Sequence, residues 1–241
     1  MPVAAKAFQL WLGGVAAGAS IADVCRQSGI KRSTLAQQLV RGKVAESSVV
    51  SVARAYGVDP VAALANFHPF QDLAGGVKPP THWELVSQVS YQDLLRALLG
   101  RSAPERQPLT ALDPVPHASS VRNWIDAIDQ AGDLRQSLSA ASGVAPQNIS
   151  AQLTANRLNP DLAVEAARLA GAGLTGGLVA TGLLTPEEAG WAAGARARAI
   201  EDLTDAELVN VARDRLDALS KLLRRREQDD EQTNALWENL G

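Results

Sequence analysis

The segment SIADVCRQSGIKRSTLAQQLVRGKVAESSVVSVARAYG, Ser20–Gly57, reads as three short helices with two tight joints. Ser20 stands at an N-cap, and Ile21, Val24 and Cys25 recur at helical spacing behind it. Gly29 stops that helix at a position where a positive φ is cheap only for glycine. Ile30 plugs the turn, and Lys31-Arg32-Ser33-Thr34 open the next helix. There Leu35 and Leu39 share a face, while Ser33, Gln37, Val40 and Arg41 point away from it. A fourth helix of the chain follows over 46–56, with Val49, Val52 and Ala53 inward, and Gly57 ends it.

A short helix, a glycine turn and a helix with a polar outer face make the helix-turn-helix pattern. Charge supports a nucleic-acid role for it. Between Val24 and Val58 stand Arg26, Lys31, Arg32, Arg41, Lys43 and Arg54 against the single acid Glu46, a local charge of +5 in a chain of net charge −3. Asp23 and Asp59 flank that window. A basic stripe on one element is the electrostatic footprint of phosphate binding.

The pattern occurs twice. A shift of 114 residues, without a gap, sets Ser142-Gly143 on Ser28-Gly29, Gln152-Leu153 on Gln38-Leu39, Ala167-Arg168 on Ala53-Arg54 and Gly171 on Gly57. Apolar positions exchange for apolar ones, Leu138 for Val24, Val144 for Ile30 and Ile149 for Leu35. Self-similarity at a fixed period is read before fold. Here it means tandem duplication of a domain-sized unit.

The expected fold class is therefore all-α, two tandem helix-turn-helix domains with accessory helices and a long C-terminal helix. Residues 1–99 form the first domain. A linker over 100–118 holds four prolines and no helical period, and 119–203 form the second domain. As a flexible coil that linker averages roughly 25 Å end to end. Within the first domain, Phe8, Leu10, Trp11 and Val15 are expected to supply core contacts, and a later helix on Trp83, Val86, Leu94, Leu95 and Leu98 is expected to kink or split near Ser90. Thr185-Pro186-Glu187-Glu188 reads as a helix start in the second. The capping box Thr204-x-x-Glu207 opens the last helix, 204–241, with its stripe Leu208, Val211, Leu216, Leu219 and Leu223. Past the repeat come Arg224-Arg225-Arg226 and Asp229-Asp230-Glu231. A cationic helix end beside a compensating acidic run explains the arginines better than phosphate contact does.

Several classes are disfavoured. One cysteine makes no disulfide framework, and His68, His82 and His117 have no metal-ligand spacing. No phosphate loop, catalytic constellation or dinucleotide fingerprint stands out, so neither an enzyme nor a cofactor is expected. Ser220-Lys221 are neighbours on a helix and do not face each other, which disfavours self-cleavage. With no secretory h-region and no apolar run of membrane-spanning length, a cytoplasmic protein without a membrane partner is expected.

The repeated unit resembles the lambda-repressor-like (Cro-like, XRE) helix-turn-helix family. Val24-Cys25, Gly29-Ile30, Ser33-Thr34-Leu35, Leu39, Gly42-Lys43 and the hydrophobic fourth helix carry the likeness, with Cys25 where the family usually has alanine. Leu138-Ser139, Gly143-Val144, Asn148-Ile149, Leu153 and Asn156-Arg157 carry it more loosely in the second copy. The tandem arrangement with extra helices also resembles immunity repressors of temperate actinobacterial phages. The likeness implies a recognition helix in the major groove, read from near its N-terminus. That nominates Arg32, Ser33, Thr34 and Gln37 as base readers, with Arg41 and Lys43 toward phosphate and Lys31 beside them among the DNA-binding residues. In the second copy it nominates Gln147, Asn148 and Ala151, with Gln152, Asn156 and Arg157 behind them.

The two surfaces differ. From Leu134 to Ala172, three arginines stand against Asp161 and Glu165, a charge of +1. The expected partner is thus a double-stranded DNA operator, asymmetric or imperfectly palindromic, contacted by both units of one chain. Two alternatives stay open. The second unit has lost DNA contact and serves as a packing module, or the whole chain is an α-helical protein-interaction module such as an antitoxin or adaptor. The sequence also leaves open a homodimer through the C-terminal helix.

Overall fold

Polar caps and glycine stops fix where the chain turns, and apolar faces fix how the pieces pack. The computed structural model describes residues 2–103, 105 and 111–240. Helix α1 (Ala5–Val15) buries Ala5, Phe8 and Leu12 but leaves Leu10 82% exposed, so Leu10 is not the core contact its spacing predicts. Helix α2 (Ile21–Ser28) begins at a capping box, in which Ser20 Oγ accepts from Asp23 N and Asp23 Oδ2 accepts from Ser20 N, both at 3.2 Å. It ends at Gly29, whose φ of 70° lies in the left-handed region. Helix α3 (Arg32–Val40) buries Leu35 completely. Beyond it the two-residue strands β1 (Val3–Ala4) and β2 (Lys43–Val44) pair antiparallel, with Val3 opposite Val44.

Helix α4 (Glu46–Ala55) follows, then α5 (Pro60–Leu64), where the Asp59 carboxylate accepts from Val61 N and Ala62 N at 2.7 and 2.9 Å. A 3-10 turn over Gln71–Gly75 precedes α6 (His82–Ser87) and α7 (Tyr91–Ser102). The expected long helix is split where the sequence suggests: Ser90 is the N-cap of α7, accepting from Asp93 N at 3.1 Å. Trp83 remains 47% exposed and is no core residue.

The second copy runs α8 (Ser120–Ile128), α9 (Leu134–Ser142), α10 (Pro146–Thr154), α11 (Pro160–Leu169), α12 (Gly176–Ala180), α13 (Ala195–Glu201) and α14 (Asp205–Leu240). The fold is all-α: among the described residues the only strands are β1 and β2. The repeat is carried into the backbone. Helices α10 and α11 match α3 and α4 end for end, and Gly143 repeats Gly29 at the same φ of 70°. The Thr204–Glu207 capping box forms, with Thr204 N donating to Glu207 Oε2 at 2.8 Å. At Thr185–Glu188 the cap hydrogen bonds also form, yet residues 186–190 continue only as a turn.

The chain divides into two units, Met1–Gln88 with Pro114–Ala195, and Val89–Asp113 with Arg196–Gly241. This division cuts across the boundaries expected at 99, 118 and 203. The greater part of both copies shares the first unit, while the last helices of both copies share the second. In the first unit one apolar core runs through both copies, from Phe8, Leu35 and Leu64 to Trp124, Ile149 and Leu178. Glycines let the second copy close onto the first. A Cβ on Gly176 would lie 2.4 Å from Glu84 Oε1 and 2.9 Å from Trp124 Nε1. In the second unit α7 packs on α14, and Arg101 donates to Leu203 O and Ile200 O at 2.7 and 2.6 Å.

The expected linker is partly tied down. Its residues 104 and 106–110 lie outside the described residues, but Asp113 Oδ2 accepts from Ser90 Oγ at 2.8 Å, and His117 Nε2 lies 3.0 Å from Ser87 O. Among the described residues, no helix is long and apolar enough to cross a membrane.

Candidate nucleic-acid interface

Burying Leu35 turns the opposite side of α3 outward. Lys31, Arg32, Ser33, Thr34 and Gln37 are all exposed there, and Arg41 and Lys43 are exposed on the turn that follows. Gln38, between these positions, locks the geometry, because its Oε1 accepts from Ala45 N at 3.2 Å and from Ser48 Oγ at 3.0 Å. The pairing of β1 with β2 holds the turn from the other side, with Ala5 N donating to Gly42 O at 3.0 Å.

The basic stripe is thinner than its sequence count. Arg26 pairs with Asp23, just outside the counted window, and Arg54 pairs with Glu188. Lys31, Arg32, Arg41 and Lys43 have no ion-pair partner among the described residues. All four lie on or beside α3, so the net cationic surface is concentrated on this one element.

In the second copy, Ile149 and Leu153 are buried, and Gln147, Asn148 and Ala151 face outward from α10. Arg157 is exposed, with no ion-pair partner among the described residues. Two other candidates are committed to the fold. Gln152 Oε1 accepts from Asn159 N at 3.0 Å, repeating the bond of Gln38 one copy earlier. Asn156 occupies the place of Gly42, takes a positive φ of 49°, and replaces the strand pairing with its own side chain. Its Oδ1 accepts from Val121 N at 3.0 Å, and its Nδ2 donates to His117 O at 2.9 Å. Gln152 and Asn156, nominated for DNA contact behind the readers, instead hold the turn between α10 and α11.

Two arginines at equivalent positions of the repeat, which enter the charge counts of the two copies, join the copies. Arg54 Nε and Nη2 form a fork onto the Glu188 carboxylate at 2.6 and 2.7 Å, and Nη2 also donates to Leu183 O at 3.2 Å. Arg168, its repeat equivalent, donates through Nε and Nη2 to Asp72 Oδ2 at 2.9 and 2.7 Å and also pairs with Glu165. Position 54 of one copy meets the region after the fifth helix in the other, and the reverse contact is made as well. Such reciprocity is the mark of an isologous, two-fold-related interface. The hydrogen bonds from Arg54 hold the Glu188 carboxyl below its ordinary range, against the burial that would raise it.

The seam also passes the N-terminal ends of α4 and α11. Burial pushes the Glu46 carboxyl upward, and Asp161 across the seam adds to the rise, while the backbone N–H of Glu46 opposes it. A cleft of about 580 Å³ opens here between Glu46, Ser47, Arg157, Pro160 and Leu183. The ends of α3 and α10 that lead into α4 and α11 are thus their inner ends, nearest the pseudo-two-fold. The two copies meet directly, and the seam, not the length of the Pro-rich stretch, sets the separation of α3 from α10. Comparisons of the chain with protein-family models, with curated proteins and with solved structures found no match.

Proposed function

We propose that the chain is a sequence-specific double-stranded DNA-binding regulator, a cytoplasmic repressor of the phage-immunity type, that reads one asymmetric operator with α3 and α10. The observation that carries this reading is the combination of an exposed, unpaired cationic surface on α3 with a reciprocal seam to its repeat. Arg32 can address guanine O6 and N7, and Gln37, Gln147 and Asn148 have the bidentate amides that suit adenine. Arg41, Lys43 and Arg157 sit at the inner ends and are assigned to backbone phosphates near the centre of the site. A homodimeric repressor positions two recognition helices by association. Here the seam within one chain serves that purpose.

Selection from a random DNA library with the full chain, followed by titration of the best site at two salt concentrations, tests the proposal. It predicts one asymmetric motif, bound by one chain, protected over two adjacent groove segments and strongly weakened by salt. A motif protected by α3 alone would leave the second copy as a packing module. No enrichment at all would favour a protein partner and end the DNA reading.

A further inference from the structure

We propose that Lys6 joins Arg41 and Lys43 in a phosphate clamp of the first copy, at the corner where α1 meets β2. The inference rests on the DNA reading and deepens it, by extending the cationic surface of α3 onto a second element.

The backbone makes the corner. Ala4 pairs with Lys43 across the antiparallel ladder, and Ala5 N donates to Gly42 O at 3.0 Å. Val3 and Val44 are buried, so the alternation of a strand turns Ala4 and Lys43 to the outer face. Lys6, two residues beyond Ala4, is exposed on the first turn of α1. Consecutive Cα atoms are about 3.8 Å apart and paired ones about 5 Å, which puts the Cα atoms of Lys6 and Lys43 within about 13 Å of each other. One turn of DNA rises about 34 Å, so both lysines address the same stretch of backbone.

Charge fits an anion there. Lys6, Arg41 and Lys43 are exposed and have no ion-pair partner among the described residues. Glu46, the first acid after Lys43, is buried. Three like charges at one corner repel one another, and a line of phosphates relieves that repulsion. The fold itself does not require them, as the second copy shows. The 114-residue shift sets Ser120 on Lys6, Ala155 on Arg41 and Arg157 on Lys43. Ser120 is buried, and its Oγ accepts from His117 N at 2.7 Å. One cation remains where the first copy has three, and the place of Lys6 has gone over to packing.

Titration of the full chain on its selected motif and on an unrelated duplex, at several salt concentrations, tests the clamp. Lys6→Ala should weaken binding to both duplexes alike, about three- to tenfold at low salt, and reduce the log–log salt slope by roughly one unit. Lys6→Arg should keep affinity and slope near wild type. Ethylation interference on the motif should lose a phosphate beside the α3 half in the alanine variant. An unchanged slope in Lys6→Ala would overturn the proposal even if affinity fell, because a merely structural lysine releases no counterion. A loss confined to the motif would overturn it too, by making Lys6 a base reader. A wild-type chain that binds neither duplex at any salt would defeat the DNA reading and the clamp with it, and would turn the three cations toward an acidic protein. A wild-type chain that binds, with Lys6→Ala behaving identically, defeats the clamp alone.

Discussion

Helices α3 and α10 share boundaries, a buried leucine-or-isoleucine anchor and a glutamine that staples the next helix, yet they present unlike surfaces. Around α3 four cations stand without ion-pair partners among the described residues; around α10 there is one, Arg157. Duplication has kept what the fold needs and released what faces outward. Asn156 illustrates the first half of that statement. Glycine at the corresponding place in the first copy is replaced by the residue best able to keep a left-handed backbone, and its amide rebuilds the bonds that a strand supplies elsewhere. Arg32 against Pro146 illustrates the second.

The harshest break of this comparison removes the cationic surface. Replacing Lys31, Arg32, Arg41 and Lys43 together by alanine should cut DNA affinity by about 10²-fold at low salt and flatten the log–log salt dependence by roughly 3–4 units, read by titration at several salt concentrations. Unchanged binding would place the interface elsewhere. A single Arg32→Ala should cost about 1–3 kcal/mol at one base position and relax the preference there, measured against a panel of single-base operator variants. Gln147→Ala is the sharper test of equality between the copies. About 1 kcal/mol is expected, on the same operator but at a different base position; an unaltered affinity and footprint would make α10 a bystander.

The smallest effect belongs to the seam. Arg54→Ala with Arg168→Ala removes two partly exposed pairs, about 1 kcal/mol in total, which lowers Tm by roughly 2–4 °C in calorimetry. The pH sense follows from Glu188. Its folded pKa is depressed, so its contribution is fully present above the ordinary glutamate value and is lost as pH falls through the lowered one. Arg54→Ala should remove that part of the acid sensitivity; a melting curve with the same pH dependence as wild type would deny Glu188 the role.

Helix boundaries and the repeat were legible in the sequence because both rest on local chemistry. Ser20 with Asp23, Thr204 with Glu207, and the paired glycines 29 and 143 each act within a few residues. The pairing of Arg54 and Arg168 across the repeat was not legible, for the opposite reason. A charge count over a window cannot see a carboxylate 134 or 96 residues away. The same blindness set Gln152 and Asn156 among the DNA-binding candidates behind the readers, since amides bond backbone and bases with equal ease. Leu10 and Trp83 fitted an apolar period but lie on faces left open to solvent. The unit boundaries were invisible too, because proline marks where a helix cannot run, not which distant segments pack together.

A seam formed inside one polypeptide changes how such a protein can evolve. In a homodimer, every codon is expressed twice, so a substitution in the reading helix alters both halves of the target at once, and the target must change twice to follow. Here Arg32 and Gln147 are encoded by different codons, which mutate independently. On the proposed reading, each half of the target could therefore drift one base at a time, and a lineage could acquire a new preference without passing through a form that fails on both sides.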